Sequence, residues 1–123
     1  MKLTKVLIVD DSEVDQFLSK IAIEEFDASI EIIEAVDGRE ALIMLKKFDV
    51  QPDVIFLDIN MPVMDGHEFL KEYDAAGYES AVVVMLTSSE QEQDKVGSQA
   101  YQCVKKYLSK PLESSDLDVI ANL

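Results

Sequence analysis

The feature that most constrains this chain is an alternation repeated five times. A short run rich in Val, Ile and Leu is followed by a longer stretch with helical spacing. The runs at residues 5–9, 30–35, 54–57, 81–86 and 104–108 predict strands. The first, third and fourth are continuously apolar, as in strands buried on both faces of a parallel sheet. Between them, Val14, Phe17, Leu18, Ile21 and Ala22 follow the i, i+3, i+4, i+7, i+8 spacing of one helical face and are expected to pack inward. Ala41, Met44, Leu45 and Phe48 repeat the pattern, and Gly66, Phe69, Leu70 and Tyr73 mark a shorter third helix. The fourth stretch, 90–100, has little beyond Val96 and Ala100 as apolar anchors, which predicts weak packing and high mobility. The fifth helix is expected to begin at a cap near Ser114 or Ser115, with Leu117 and Ile120 inward. Five strand–helix units with short connections imply an α/β fold with right-handed crossovers and helices on both faces of a parallel sheet. In such sheets ligands bind beyond the carboxyl ends of the strands.

At 123 residues the chain has room for one domain and one core. Its 25 Asp and Glu against 11 Lys and Arg give a net charge of −14, which repels a nucleic-acid backbone and argues against direct binding to one. No apolar run approaches the roughly 20 residues of a membrane-spanning helix, so membrane insertion is not expected. The start of the chain lacks the apolar stretch and cleavage site of a signal peptide, and the single Cys103 excludes an internal disulfide. A reducing cytoplasm is the expected location.

The residues that close the strands carry the chemistry. The first ends in Asp10-Asp11, the third in Asp58 and the fourth in Thr87, while the fifth leads to Lys110-Pro111. Singly, Asp10-Asp11 reads as a helix cap and Asp58 as a turn carboxylate. Together, three carboxylates at one sheet edge would repel one another unless a cation sat between them, and hard oxygen donors suit Mg²⁺ or Mn²⁺. A carboxylate nucleophile, a divalent cation, a hydroxyl and an ammonium are the parts that stabilise a transferring phosphoryl group and form an aspartyl phosphate.

The segments Val6-Leu7-Ile8-Val9-Asp10-Asp11-Ser12, Leu57-Asp58-Ile59-Asn60-Met61-Pro62-Val63-Met64-Asp65-Gly66, Leu86-Thr87-Ser88 and Lys110-Pro111, in that order, resemble the response-regulator receiver domain of two-component signalling. The likeness spans essentially the whole chain. It implies a flavodoxin-like (βα)5 three-layer sandwich, a five-stranded parallel sheet of order 2-1-3-4-5, and a single receiver domain over residues 1–123. It implies that Asp58 is the phosphoacceptor and that Asp11 and Asp58 hold Mg²⁺, with Mn²⁺ as the alternative. Asp10 would act largely through water, and the Asn60 backbone carbonyl would complete the metal ligands. Thr87 and Lys110 would contact phosphoryl oxygens, the Lys110-Pro111 bond, cis in many relatives, would if cis turn Lys110 toward the site, and Tyr107 would be an aromatic switch. Asn60 and Ser89 would flank the path of the hydrolytic water. The implied donor is a sensor histidine kinase or histidine phosphotransfer protein. The implied output is a changed surface of the fourth helix, fifth strand and fifth helix, read by a downstream protein. Such a chain is a signalling switch that catalyses its own phosphorylation and dephosphorylation, and its start and end suggest a stand-alone regulator.

Other chemistries fit less well. An aspartate-nucleophile phosphohydrolase needs a general acid two residues after the nucleophile, where this chain has Asn60. A flavin carrier needs a phosphate-cradling loop after the first strand, where Asp11-Ser12-Glu13 is acidic. A degenerate, binding-only receiver is hard to reconcile with a full set of phosphorylation residues. The chain does depart from common receivers in having Cys103-Val104 where Gly-Ala is usual, which predicts a stiffer or shifted backbone before the fifth strand. The Lys105-Lys106 pair reads as a solvated face or a partner contact, and Cys103 as a small buried hydrophobe. His67 is expected to be exposed. Met61 and Met64 are candidates to line the site, and Met85 is expected in the core.

Overall fold

The computed structural model describes residues 1–88 and 101–123. The elements are β1 (Lys5–Val9), α1 (Glu13–Phe26), β2 (Glu31–Ala35), α2 (Gly38–Lys47), β3 (Val54–Leu57), α3 (Gly66–Ala75), β4 (Val82–Thr87), β5 (Val104–Ser109) and α4 (Ser114–Ala121). The expected fourth helix over 90–100 lies outside the described residues, as does Ser89. The strands form one parallel sheet of order β2-β1-β3-β4-β5, the flavodoxin-like order.

Because side chains alternate along a strand, each central strand feeds two cores. Leu7 and Val9, Ile55 and Leu57, and Val83 and Met85 point to one side, where Ala41, Leu45, Phe69, Leu70 and Tyr73 of α2 and α3 cover them. Val6 and Ile8, Val54 and Phe56, and Val84 and Leu86 point to the other, where Ala22, Ile23, Leu117 and Ile120 of α1 and α4 pack. These strand residues are at most 2% exposed, which explains why their runs show no polar alternation. The strand boundaries differ from expectation by a residue: β2 starts at Glu31, β4 runs from Val82 through Thr87, and β5 extends to Ser109.

The largest correction concerns α1. Val14, Phe17, Leu18 and Ile21 face solvent, from 38% exposed at Ile21 to 68% at Val14, and of the expected face only Ala22 is buried. The helix carries a second stripe at the same spacing, Ser19, Ala22, Ile23 and Phe26, and the sheet takes that one. Gln16 extends this inner face, and its amide donates to the carbonyls of Asp10 and Ala35, each at 2.9 Å, and of Ile8 at 3.3 Å. Satisfying those strand-end carbonyls fixes the helix rotation better than a further apolar contact would. The start of α4 differs as well. Its cap is Glu113, whose N–H donates to Asp116, so Ser114 is the first helical residue.

Cys103 is half-buried against the α2–α3 core, with its thiol pushed up by burial. The β4–β5 register slips next to it, from Val83 opposite Val104 to Val84 opposite Lys106, so Lys105 is the extra residue. Met61 and Met85 are buried in the core and Met64 packs against it. His67 is half-buried rather than exposed.

Candidate functional site: an acidic centre at the carboxyl edge of the sheet

The sheet register brings the site together. Val9 lies opposite Leu57 at the end of the β1–β3 pair, so the next residues, Asp10 and Asp58, emerge side by side. The Asp58 N–H donates to the Val9 carbonyl at 3.0 Å and the Asp10 N–H to that of Ala35 at 3.0 Å, which fixes both α-carbons to the sheet. Thr87 lies opposite Ser109 at the end of the β4–β5 pair, and the Lys110 N–H donates to the Thr87 carbonyl at 2.8 Å. The Lys110-Pro111 peptide is cis.

Carboxylate oxygens of Asp10, Asp11 and Asp58 lie within 4.8 Å of one another. Asp10 is 2% exposed and Asp58 5%, whereas Asp11 is open to solvent. Burial pushes the Asp10 carboxyl up from its ordinary value, against the opposing pull of the Ser12 N–H and of Lys110. The Ser12 N–H donates to Asp10 Oδ1 at 2.9 Å and the Ile59 N–H to Asp58 Oδ1 at 2.9 Å. Lys110 Nζ stands 2.9 Å from Asp10 Oδ2 and 3.5 Å from Asp58 Oδ2. Burial works to lower the Lys110 ammonium, but Asp15 and Asp10 outweigh it and hold the group above the usual lysine range. One ammonium does not balance three carboxylates. An all-oxygen donor set, two members of it buried and one of them held up by burial, fits a divalent cation.

Thr87 is 1% exposed, and its hydroxyl donates to the Leu108 carbonyl at 3.5 Å, the outer limit of a hydrogen bond. Tyr107 is half-buried on β5 opposite Met85, packed against the α2–α3 core. Asn60 is exposed two residues beyond Asp58. Gly66 anchors that loop from below: its N–H donates to the Ile59 carbonyl at 2.8 Å, and a methyl built on it would lie 2.5 Å from the Asp58 carbonyl oxygen. Sequence reasoning passed over two residues here. Gln16 ties Asp10 to β2 through its amide, and Asp15 on α1 forms a 2.9 Å ion pair with Lys110. The only sequence signal for Asp15 was an acidic residue in the first turn of a helix.

With this geometry in view, the relatives of the chain can be stated. Residues 6–122 match the response regulator receiver domain family. The chain belongs to that family. It is 36% identical to the chemotaxis protein CheY of Halobacterium salinarum, over 97% of this chain and 95% of that one. A two-component response regulator from Cytophaga hutchinsonii superposes with a TM-score of 0.86 at 29% identity, covering 99% of this chain and 96% of that one. The phosphorylated cyanobacterial phytochrome response regulator RcpA gives a TM-score of 0.79 at 30% identity, covering 97% and 89%. As a receiver domain the chain is a phosphorelay switch that promotes its own phosphorylation and dephosphorylation, not an enzyme turning over a separate substrate. The Asp10, Asp11 and Asp58 cluster is the acidic centre such a switch requires. Among the described residues, no helix is long and apolar enough to cross a membrane.

Proposed function

We propose that Asp58 is the phosphoacceptor of a single receiver domain spanning residues 1–123, charged by the phosphohistidine of a sensor kinase or phosphotransfer protein. The observation that carries this reading is the placement of Asp58, its carboxylate within 4.8 Å of those of Asp10 and Asp11 and 3.5 Å from the Lys110 ammonium. A carboxylate oxygen of Asp58 forms the new P–O bond as the P–N bond to the donor imidazole breaks and the imidazole leaves. Asp11, Asp58 and the Asn60 carbonyl would hold Mg²⁺, with Asp10 supporting it through water. Bound there, the ion would neutralise charge on the phosphoryl oxygens. Lys110 pairs with another phosphoryl oxygen as a point charge, and the carboxylates of Asp15 and Asp10, outweighing its burial, keep it protonated for that role.

The weak Thr87 bond to the Leu108 carbonyl supports a switch. A phosphoryl oxygen offers that hydroxyl a charge-assisted bond present in only one state, and only such a differential contact moves an equilibrium. Thr87 then shifts toward Asp58 and Tyr107 follows into the space vacated, changing the surface of β5 around Lys105 and Lys106 that a downstream protein reads. Asn60 would border the approach of the hydrolytic water, a role the receiver pattern also implies for Ser89, which lies outside the described residues. The exposed apolar row of Val14, Phe17, Leu18 and Ile21 beside the site suits a protein donor better than a small-molecule one. The test is uptake of phosphate from a small acyl phosphate with Mg²⁺, for the parent and Asp58→Asn. Uptake by the parent alone, abolished by chelator, is expected; equal uptake by Asp58→Asn refutes the assignment.

A further inference from the structure

Lys110 has a partner that phosphoryl transfer does not itself require. Its Nζ stands 2.9 Å from Asp15 Oδ2, as close as to Asp10 Oδ2 and closer than the 3.5 Å to Asp58 Oδ2. Asp15 is not part of the cluster formed by Asp10, Asp11 and Asp58. It sits in the first turn of α1, where the Ser12 hydroxyl accepts its N–H at 3.2 Å, while the N–H of the same Ser12 holds Asp10 Oδ1 at 2.9 Å. One capping residue therefore ties Asp10 and Asp15 into a unit, and each offers its Oδ2 to one ammonium.

An ammonium has three donor hydrogens, and among the described residues three carboxylates surround it. Two of the three, Asp10 and Asp58, belong to the cluster suited to a divalent cation, so lysine and cation compete for the same oxygens. Among the described residues, Asp15 is the one carboxylate partner of Lys110 that lies off the cluster. Its side chain is 34% exposed against 3% for Asp10, so occupying it strips less water from a carboxylate.

We propose that Asp15 is a positioning residue that holds the Lys110 ammonium on the α1 side of the pocket, 2.9 Å from its own Oδ2 and 3.5 Å from Asp58 Oδ2, so that Lys110 competes less with a divalent cation for the cluster oxygens while staying within reach of the phosphoryl group. The proposal rests on the metal and phosphoryl reading given above and adds how the chain reconciles a lysine and a dication in one pocket. Without Asp15, every remaining carboxylate partner of Lys110 among the described residues is a cluster member, and the lysine opposes the cation directly.

Asp15 also contributes a negative charge that attracts a cation with or without Lys110, and a double-mutant cycle separates the two effects. Mg²⁺ is titrated into the parent, Asp15→Asn, Lys110→Met and the double variant, followed by amide chemical shifts. Asp15→Asn is expected to weaken Mg²⁺ binding about five-fold when Lys110 is present and less than about two-fold when it is replaced. A second measurement needs no change at Lys110: in the Mg²⁺-saturated parent its ammonium resonance should stay apart from that of free lysine, and in Asp15→Asn move onto it. Equal weakening in both backgrounds, or a Lys110 resonance indifferent to Asp15→Asn, overturns the proposal while leaving the metal site standing. A parent that binds no Mg²⁺ overturns the metal reading and this proposal with it.

Discussion

Replacing Gly66 by alanine is expected to damage stability and phosphoryl uptake together, because the first residue of α3 rests directly on the backbone of Asp58. The added methyl would lie 2.5 Å from the Asp58 carbonyl oxygen and 2.9 Å from the Ile59 α-carbon, whereas real contacts of this kind stay beyond 3.0 Å. Both obstacles are backbone, so no side chain can swing aside. Helix and loop must part by about half an ångström, stretching the 2.8 Å bond from the Gly66 N–H to the Ile59 carbonyl. Overpacking of this kind costs about 1–3 kcal/mol, and with rigid partners on both sides the upper half of that range applies. For a domain of this size, melting falls roughly 3–5 °C per kcal/mol, which gives a drop of about 6–15 °C by calorimetry. A displacement of that order at a reacting carboxylate is expected to slow uptake from a small acyl phosphate about ten-fold or more. Gly77→Ala is the control. Gly77 has φ +80° and nothing within 4 Å of a built methyl, so alanine there pays only a backbone cost of about 1–2 kcal/mol and leaves uptake unchanged. A Gly66→Ala variant that melts within about 2 °C of the parent and takes up phosphate at the parental rate would refute the close approach of α3 to Asp58.

Three further outcomes follow from other contacts. Asp53 accepts from the Thr4 N–H at 2.7 Å, the Thr4 hydroxyl at 2.9 Å and the Lys5 N–H at 3.0 Å. Burial opposes its ionisation, but these donors together hold its carboxyl below the ordinary value, so its stabilisation is full above the unfolded pKa of about 3.9 and is lost as pH falls through the folded one. Asp53→Ala should therefore cost about 1–2 kcal/mol at neutral pH in urea melts, with the gap to the parent closing below about pH 4; a constant gap contradicts this. Gln16→Leu removes the donor to the Asp10 and Ala35 carbonyls and should cost about 1–3 kcal/mol despite the added apolar volume, so a Leu variant as stable as the parent would show that those carbonyls need no amide. Mg²⁺ should raise the melting temperature of the parent more than that of Asp11→Ala, and equal shifts in both place the ion elsewhere.

Much of this architecture was legible because the sheet is buried on both sides. Residues 54–57 and 82–86 have no polar face to confuse with a helix, and an acidic or hydroxyl residue directly after an apolar strand marks the sheet edge without ambiguity. Asp10, Asp58, Thr87 and Lys110 were anticipated because each stands at or just beyond the end of an apolar strand run and in the receiver pattern, and parallel register brings those ends together. What was misjudged depends on facts that hydropathy does not encode. Helix α1 carries two stripes of identical spacing, and the more apolar one faces water because the sheet needs the Gln16 amide and the smaller Ser19 and Ala22 close against it. Asp15 meets a lysine 95 positions away, and nothing local to either residue announces the pair. The α4 cap was misplaced by one or two residues because Glu113 and Asp116 satisfy the helix start that Ser114 or Ser115 was expected to close.

The central claim is that the carboxylate of Asp58, and no other side chain, carries the phosphoryl group. An acyl phosphate formed in Mg²⁺ can be trapped by borohydride, which reduces the acylated carboxylate to an alcohol, and the peptides can then be mapped by mass spectrometry. The account predicts that position 58 alone is converted, that chelator abolishes the conversion, and that Asp10 and Asp11 are recovered unchanged. Conversion at Asp10 or Asp11, or a label on His67 with Asp58 intact, would contradict it.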